Sequence, residues 1–454
     1  MAGLVTRSPA QAAPSNRAAS PTNLLAMIGR TAAVCALPII VGLWTAATAF
    51  VGGTFLPWRP LMVDLDVYRR AGAALLQGSD FYELPGPLPF LYPPFAAVLA
   101  VPLTLLPSAF IEIGWTIAGV LAIMAVLHRF GLTGWQLSLV GAAAVYFLEP
   151  VSETLAFGQP GILLMALVVF DLVPGPRVLP RRILPPGVLT GIAAAVKLTP
   201  ALFVVYLISV RQWRAAVTAI VTGLAVTLGT LAIVPDPSMR FWTRLAQGET
   251  GLGHSLIYFT NQSVMADVVR ILGLGAGPAL LGLALSAAVA LLGVWAGMLW
   301  HRLGEVGLAV TLVGLAGLLA SPVSWLHHFV WVIPLALCLT GRRPTLGKRR
   351  TLPPSLLILG WVLVGWVVAQ LPMVPAPLRR LPNGADLELQ WTWWQHTLAS
   401  VTAVLGVIFL FACVVVAQRL RRLPVRLPPP SGTTDGGPDH MFQNPISTAD
   451  HQRA

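Results

Sequence analysis

Two carboxylates lie close together early in the chain, where the first apolar stretch has ended. Asp64 and Asp66 occupy a short segment, residues 63–68, that ends at Tyr68. A carboxylate beside a bilayer is costly unless it is solvated or used, and one at the mouth of a cavity can act as a general base on a hydroxyl group. Both could also be ordinary loop acids. Residue type and spacing leave the two interpretations open.

A lysine interrupts an apolar stretch near the middle of residues 186–210. Lys197 must either extend its amine toward the membrane surface or meet a negative partner. A lipid-linked phosphate would supply that charge. The alternative is a purely structural ion pair with a carboxylate such as Glu149 or Glu153.

Four further polar segments interrupt the apolar chain, at 90–95, 157–161, 260–263 and 321–328. The residues in them that could contact a ligand are Tyr92, Gln159, Asn261, Gln262, Trp325, His327 and His328. Turns, helix caps and aromatic anchors at the membrane surface explain most of these types equally well. Adjacent histidines point to different sides of a helix and make a poor metal pair. One of the two can therefore donate to a phosphate while the other packs.

The elements that position these residues are predicted to be membrane helices. Of the 454 residues, 56% are hydrophobic and only 10% are charged, against about a quarter in a soluble domain. The apolar stretches are long, whereas barrel strands would give short alternating segments. We therefore predict an all-α polytopic membrane protein. Cys35, Cys338 and Cys413 lie inside apolar stretches and are interpreted as small hydrophobic residues.

Ten crossings are predicted, together with two apolar segments that are re-entrant or broken. The crossings are expected near 31–52, 109–128, 135–149, 160–174, 213–234, 271–300, 304–320, 326–341, 354–371 and 392–418. The broken segments are 93–107, bounded by prolines, and 186–210, which contains Lys197 and Pro200. Irregular backbone at membrane depth is tolerated where it lines a cavity, so these segments predict one.

Basic residues predict the orientation. Residues 1–29 and 424–454 are expected to be disordered tails flanking a membrane domain at 30–423. Basic clusters lie at 177–182, 211–214, 342–350 and 419–426, and the positive-inside rule places them, with both termini, in the cytoplasm. Arg379 and Arg380 fall outside and oppose this scheme.

With this orientation, the polar segments all fall on the outer side of the membrane. They are the loop 58–92, the turn 149–161, the break at Lys197, the loop 235–270 and the turn 321–328. Their convergence predicts an active site open to the periplasm or cell exterior.

The formal net charge of +12 reflects membrane orientation better than nucleic-acid binding, which we do not expect. The sequence has no Walker loop, no dinucleotide glycine fingerprint and no zinc-ligand spacing. An outward-facing site without a nucleotide fold favours a donor substrate that already resides in the membrane. No cofactor and no metal are expected.

Taken together, the six polar segments resemble the polytopic glycosyltransferases of the GT-C superfamily that use polyprenyl-phosphate sugars. The resemblance is greatest to the mycobacterial α-1,2-mannosyltransferases that elongate phosphatidylinositol mannosides or branch lipomannan. Their ordered motifs, Asp-Leu-x-Val-Tyr, Tyr-Pro-Pro, Gly-Gln, Lys-Leu-Thr-Pro, Asn-Gln-Ser and Ser-Pro-x-Ser-Trp-x-His-His, all occur here between about residues 60 and 330. The chain departs from the family at Gly161, where asparagine is frequent, and at Asp66, which adds a second candidate base.

The resemblance implies a GT-C-like fold in the plasma membrane and an inverting transfer of mannose from polyprenyl-phosphate mannose to the 2-hydroxyl of a mannosylated phosphatidylinositol or lipomannan. Asp64 occupies the family's catalytic position as general base, and Lys197, His327 and His328 become candidates for binding the donor phosphate. The resemblance also implies a set of substrate-binding residues: Asp66, Tyr68, Tyr92, Gln159, Asn261, Gln262 and Trp325.

Two alternatives remain at this point. One is an arabinosyltransferase of similar fold that uses polyprenyl-phosphate arabinose. The other is a non-catalytic lipid transporter, since broken helices and a lysine at mid-membrane suit transporters too. The lack of inverted repeats and the acidic segment at 63–68 favour an enzyme.

Overall fold

The described part of the chain consists mainly of α-helices. The computed structural model describes residues 21–49, 53–86, 88–176, 182–248, 256–347, 349–373 and 387–422. The first nine α-helices are α1 (Pro21–Thr48), α2 (Val63–Leu76), α3 (Pro94–Ala100), α4 (Ser108–Arg129), α5 (Gly134–Phe147), α6 (Glu149–Phe157), α7 (Gly161–Leu172), α8 (Val188–Val196) and α9 (Leu202–Ser209). They are followed by α10 (Trp213–Ile233), α11 (Pro235–Ala246), α12 (Val264–Leu272), α13 (Ala276–Arg302), α14 (Val306–Ala320), α15 (Val332–Leu339), α16 (Pro354–Met373) and α17 (Trp393–Arg422). Shorter 3₁₀ turns occur at Val101–Thr104, Thr199–Ala201, Leu326–Trp331 and Leu387–Gln390.

Within the described ranges, five helices are long and apolar enough to cross a bilayer: α1, α4, α10, α13 and α17. A sixth span results if α5 and α6, which are bent by 76° at their junction, count as one. Six more apolar helical stretches are shorter than a full span. The predicted all-α membrane fold is confirmed in this coarser form, and the count of ten crossings stays a prediction.

Both segments predicted to be broken are interrupted in the structure. Residues 94–104 form α3 and a 3₁₀ turn, with prolines at the start of each. In the second segment, α8 ends at Val196 and Lys197 is extended, with φ −146° and ψ 134°. A 3₁₀ turn and then α9 complete that segment. Extended backbone at this point directs Lys197 away from the helix axis.

The polar segments expected to be loops and turns contain helices. Residues 58–92 include α2, residues 149–161 include α6, and residues 235–270 include α11 and most of α12. These segments are polar overall, but their apolar residues recur with the period of 3.6 residues that is typical of an amphipathic helix. In α2, for instance, Leu65, Tyr68 and Ala71 are buried along one face. The first helix also begins earlier than the predicted crossing at 31–52.

Some sequence predictions fall outside the described residues. They concern most of the N-terminal tail, the C-terminal tail from 424 onward, and the basic residues Arg177, Arg181, Lys348, Arg379, Arg380 and Arg426.

Helix α14 forms the centre of the packed core, and residues 306–319 are buried all round. It lies against α13 at Gly293, where a β-carbon would come within 2.0 Å of the Ala316 side chain. Small residues at such contacts allow two membrane helices to approach closely. Gly317 of α14 faces Thr199, so the same helix supports the break that carries Lys197.

A buried carboxylate fixes the start of that broken segment. The two side-chain oxygens of Asp171, in α7, accept hydrogen bonds from the backbone N–H groups of Gly187 and Thr190 and from the Thr190 hydroxyl. Arg182 balances the charge at 2.5 Å. Because the first N–H groups of a helix lack partners within it, this carboxylate anchors the beginning of α8 and thereby the position of Lys197 at its other end.

Candidate active site

A cavity of about 430 Å³ opens where the polar segments meet. Its wall is formed by α2 and the loop after it, the segment 88–93, the loop after α6, the break after α8, helix α11 and residues of the segment 321–328. Seven of the predicted site residues line it, namely Asp64, Tyr68, Tyr92, Gln159, Lys197, Trp325 and His328. The structure therefore brings together residues that lie far apart in sequence.

Gln159 connects Asp64 to two tyrosines. The Tyr92 hydroxyl donates to Gln159 Oε1 at 2.9 Å, and the Tyr68 hydroxyl lies 3.2 Å from the same oxygen and 3.0 Å from the Tyr92 hydroxyl. With its oxygen occupied by these donors, the amide presents its NH₂ group to the Asp64 carboxylate and donates a hydrogen bond to it. This network fixes the orientation of the Gln159 amide.

The backbone of Gly158 makes the approach of Gln159 to α2 possible. Gly158 ends α6 with φ +72°, and a β-carbon there would lie 2.5 Å from the Leu65 β-carbon. Only glycine adopts this conformation without strain and leaves that space.

The electrostatic environment of Asp64 suits a general base. Burial raises the pKa of its carboxyl group to about 6, against the opposing effects of the Gln159 hydrogen bond and the positive charge of Lys197. A carboxylate with this pKa is ionised at neutral pH. It is also a stronger base than an ordinary aspartate.

The second acid of the same helix lies outside the cavity wall. Asp66 Oδ2 pairs with Arg70 Nε at 2.9 Å, one helical turn away, and 59% of the Asp66 side chain is exposed. The structure therefore gives the two acids different surroundings. Asp64 faces the cavity, and Asp66 forms a surface ion pair.

Lys197 is the cationic group of the cavity wall, and His328 lies next to it. Lys197 Nζ lies 3.1 Å from His328 Nε2 and 5.2 Å from the centre of the Tyr92 ring. The Trp325 backbone N–H donates to His328 Nδ1 at 3.2 Å, so a neutral His328 carries its proton on Nε2. An ammonium and an N–H group then face one another without an acceptor between them. An anionic oxygen beside both atoms would accept a hydrogen bond from each.

The contacts observed for Lys197 are with an aromatic ring and a histidine, and its positive charge lowers the pKa of Asp64. Glu153, one carboxylate of the structural alternative, lies with its Oε2 3.9 Å from His327 Nδ1.

His327 points away from the cavity, as expected for one of two adjacent histidines. Its Nδ1 lies 3.9 Å from Glu153 Oε2, and its ring packs edge-on against Phe157. The Thr154 hydroxyl donates to its carbonyl at 2.5 Å. His327 therefore links the 3₁₀ turn to α6, and His328 alone of the pair lines the cavity.

Asn261 and Gln262 are buried beside the cavity and do not line it. Asn261 Oδ1 accepts hydrogen bonds from the backbone N–H groups of Ser263 and Ser324, and the Gln262 backbone N–H donates to the Ser324 carbonyl at 2.8 Å. Asn261 and Gln262 thus link their own loop to the turn 321–325. Their contacts position the turn that carries Trp325.

The cavity residues that the sequence did not single out include Tyr82, Phe241, Arg244 and Leu245. The Tyr82 and Phe241 rings are stacked, with centres 5.8 Å apart and planes inclined by 18°. The signal that could have revealed them is the spacing of Phe241 and Leu245, four residues apart on the amphipathic helix α11.

Within the described residues, no group of three His, Cys, Asp or Glu side chains is arranged to hold a metal ion. The cavity's polar groups are instead a carboxylate, an ammonium, an imidazole, an amide and phenols. This set can remove a proton from a hydroxyl group at one side and bind an anion at the other.

The chain is similar to known glycosyltransferases over most of its length. Residues 90–322 match the family model of glycosyltransferase family 87. A relative from Mycobacterium tuberculosis named polyprenol-phosphate-mannose-dependent alpha-(1-2)-phosphatidylinositol mannoside mannosyltransferase is 30% identical over 422 residues, covering 86% of this chain and 93% of the relative.

A second Mycobacterium tuberculosis relative, named as the corresponding phosphatidylinositol pentamannoside mannosyltransferase, is 36% identical and covers 69% of this chain and 72% of its own. A Mycolicibacterium smegmatis relative with the same name as the first is 30% identical, covering 80% of this chain and 88% of its own. No solved structure matches the chain.

Proposed function

The chain belongs to glycosyltransferase family 87, and we propose that it transfers mannose from polyprenyl-phosphate mannose to the 2-hydroxyl of a mannosylated phosphatidylinositol, with inversion at the anomeric carbon. All the relatives described above are named as polyprenol-phosphate-mannose-dependent mannosyltransferases, which favours mannose over arabinose and an enzyme over a transporter. The observation that carries the proposal is that Asp64, Lys197 and His328 line one cavity.

Asp64 is the proposed general base. Its carboxylate accepts the proton of the acceptor 2-hydroxyl as the hydroxyl oxygen attacks the anomeric carbon. The bond between that carbon and the phosphate oxygen breaks, and its electron pair leaves with the phosphate. Attack opposite the leaving group converts a β-linked donor into an α-1,2 product. Tyr68 and Tyr92 hold the Gln159 amide, and Gln159 in turn stabilises the charged form of Asp64.

Lys197 and His328 are the proposed phosphate ligands. The phosphate is already a good leaving group, so it needs charge stabilisation more than protonation. The ammonium of Lys197 and the Nε2–H of His328 are adjacent hydrogen-bond donors. One oxygen of the departing phosphate can accept a hydrogen bond from each of them. Trp325, next to this pair, can stack on a sugar ring.

We place the enzyme in the plasma membrane with its cavity open to the periplasm or exterior and both termini in the cytoplasm. The support is the distribution of basic residues. Arg342 and Arg349 follow α15, and Arg419, Arg421 and Arg422 end α17. Such clusters remain on the cytoplasmic side during membrane insertion.

A transfer assay on purified protein in nanodiscs tests the proposal. With polyprenyl-phosphate mannose and a phosphatidylinositol mannoside acceptor, the product should carry one additional α-1,2-linked mannose. Asp64→Asn should lower kcat about 10²- to 10⁴-fold because it removes only the base. Asp66→Asn, on the same helix, is the matched control and should retain most of the activity because its partner is the surface residue Arg70.

Two results would contradict the assignment. If Asp66→Asn is inactive and Asp64→Asn is active, the base is the wrong acid. If the wild-type protein transfers no mannose although the donor is intact and the protein is folded, the reaction itself is wrong.

A further inference from the structure

Helix α11 directly follows a helix that is long and apolar enough to cross a membrane. It begins at Pro235, directly after the membrane-length helix α10 ends at Ile233. One face of α11 carries Phe241, Trp242 and Leu245, and its other side chains are largely polar. An amphipathic helix at the end of a membrane span is typical of a position in the lipid headgroup region.

The two arginines of α11 have different surroundings. Arg240 is neutralised by Asp80 and by Glu83, whose Oε1 lies 2.7 Å from its guanidinium. Together with the stacking of Phe241 on Tyr82, these contacts fix α11 to the loop after α2. Arg244 lies one helical turn further along. It is exposed at the cavity wall and has no ion pair among the residues that the structure describes.

Exposed apolar side chains share the cavity wall with Arg244. Leu245 is 40% exposed, and Leu88 and Leu198, from two other elements of the same wall, are 40% and 37% exposed. An exposed arginine on a helix that follows a membrane span, in a wall with accessible apolar surface, fits a lipid whose phosphate meets the arginine while its chains remain in the bilayer. The planar guanidinium forms two parallel hydrogen bonds to phosphate oxygens.

We propose that Arg244 binds the phosphodiester of the acceptor lipid and so determines the preference for a phosphate-bearing glycolipid. This inference rests on the proposed mannosyl transfer. The donor phosphate is bonded to the anomeric carbon, so it must lie beside the reacting atoms, where Asp64, Lys197 and His328 are. The acceptor phosphodiester is separated from the reacting hydroxyl by inositol and mannose units. It therefore reaches the cavity from the headgroup level, where α11 presents Arg244.

The test compares two acceptors in nanodiscs of neutral phosphatidylcholine. One is a phosphatidylinositol mannoside, and the other is an alkyl α-mannoside that ends in the same sugar and has no phosphate. For Arg244→Gln, the KM for the phosphate-bearing acceptor should rise about ten-fold relative to the KM for the alkyl mannoside, as expected when one charge-assisted contact is lost. Arg244→Lys should recover part of the difference, because the charge remains and the planar fork is lost.

Arg59→Gln is the matched control, since Arg59 is exposed on the same outer side and does not line the cavity. It should leave the ratio of the two KM values at the wild-type level. An equal rise for both acceptors, or no change for either, would overturn the proposal. A rise confined to the donor KM would assign Arg244 to the donor phosphate instead. If the wild-type protein uses neither acceptor, the proposed mannosyl transfer is wrong. If the wild-type protein is active and Arg244→Gln changes neither KM value, only the role of Arg244 is wrong.

Discussion

Replacing Gln159 by leucine should move the pH at which the enzyme becomes active. The Gln159 amide donates a hydrogen bond to Asp64 that opposes the effect of burial on the carboxyl pKa. Leucine has a similar volume and cannot donate. The charged form of Asp64 then loses a stabilising contact, so its pKa rises above the wild-type value of about 6.

The size of the change follows from the strength of such a bond. A hydrogen bond to a charged group contributes about 1.5–3 kcal/mol, and one pKa unit corresponds to about 1.4 kcal/mol, so the pKa of Asp64 should rise to roughly 7–8. Because the base acts only when ionised, kcat/KM rises with pH through this pKa. At pH 7 the ionised fraction of Asp64 should fall from roughly nine-tenths in the wild-type protein to a value from about one-tenth to about one-half in the variant. The value of kcat/KM should therefore fall about two- to ten-fold.

The measurement is kcat/KM for the acceptor between pH 5 and 9, at saturating donor, for the wild-type protein and for Gln159→Leu. The variant should be slow at pH 7 and recover most of the wild-type value at pH 9. Gln77→Leu is the control, because Gln77 is exposed at the end of the same helix α2 and lies outside the cavity. A lower rate at every pH with an unmoved midpoint would refute the reasoning and would limit Gln159 to binding substrate.

Two further predictions concern the donor phosphate and the orientation. Lys197→Ala should raise the KM for polyprenyl-phosphate mannose or lower kcat, with little effect on the acceptor KM. Lys197→Arg should restore part of the lost activity. Reduced thermal stability with unchanged donor kinetics would instead indicate a structural role for Lys197. A cysteine introduced at Asp80 should react with a membrane-impermeant thiol reagent in intact cells, and one at Thr345 should not, whereas the reverse labelling would overturn the outward-facing cavity.

The sequence predicted the cavity because membrane interiors penalise unpartnered polar groups. Asp64, Gln159, Lys197 and His328 each interrupt or border an apolar stretch, and a polar group at such a position must find a partner or a function. The structure brings these four into one wall. Polar residues are therefore more informative in a membrane helix bundle than in a soluble domain, where water satisfies most of them.

Other roles depend on neighbours that no local pattern specifies. Asn261 and Gln262 have the hydrogen-bonding groups of sugar ligands, yet their partners are the backbone of residues 256–263 and 322–324. The spacing of His327 and His328 predicts that they point in different directions. Which of them faces the cavity depends on the Trp325 backbone and on α6.

The amphipathic helices are the elements that the sequence predicts least well. Helix α11 is short and polar by composition, so its sequence predicts a loop, and neither Phe241 nor Arg244 stands out as a site residue. The crossing count is difficult for a related reason. Six apolar helical stretches are too short to span alone, and their hydropathy cannot distinguish a tilted or broken span from a helix that packs inside the bundle.

If the proposed roles hold, we expect donor binding to change the strength of the base through one charge. In the free protein the positive charge of Lys197 lowers the pKa of Asp64, although burial has the larger effect in the opposite direction. A phosphate bound at Lys197 and His328 would neutralise that charge. The carboxylate would then be a stronger base in the complex that contains both substrates than in the free enzyme. Because Asp64 and Lys197 belong to different segments of the chain, α2 and the break after α8, this coupling depends on Asp171 and Gly158, which fix where those segments lie.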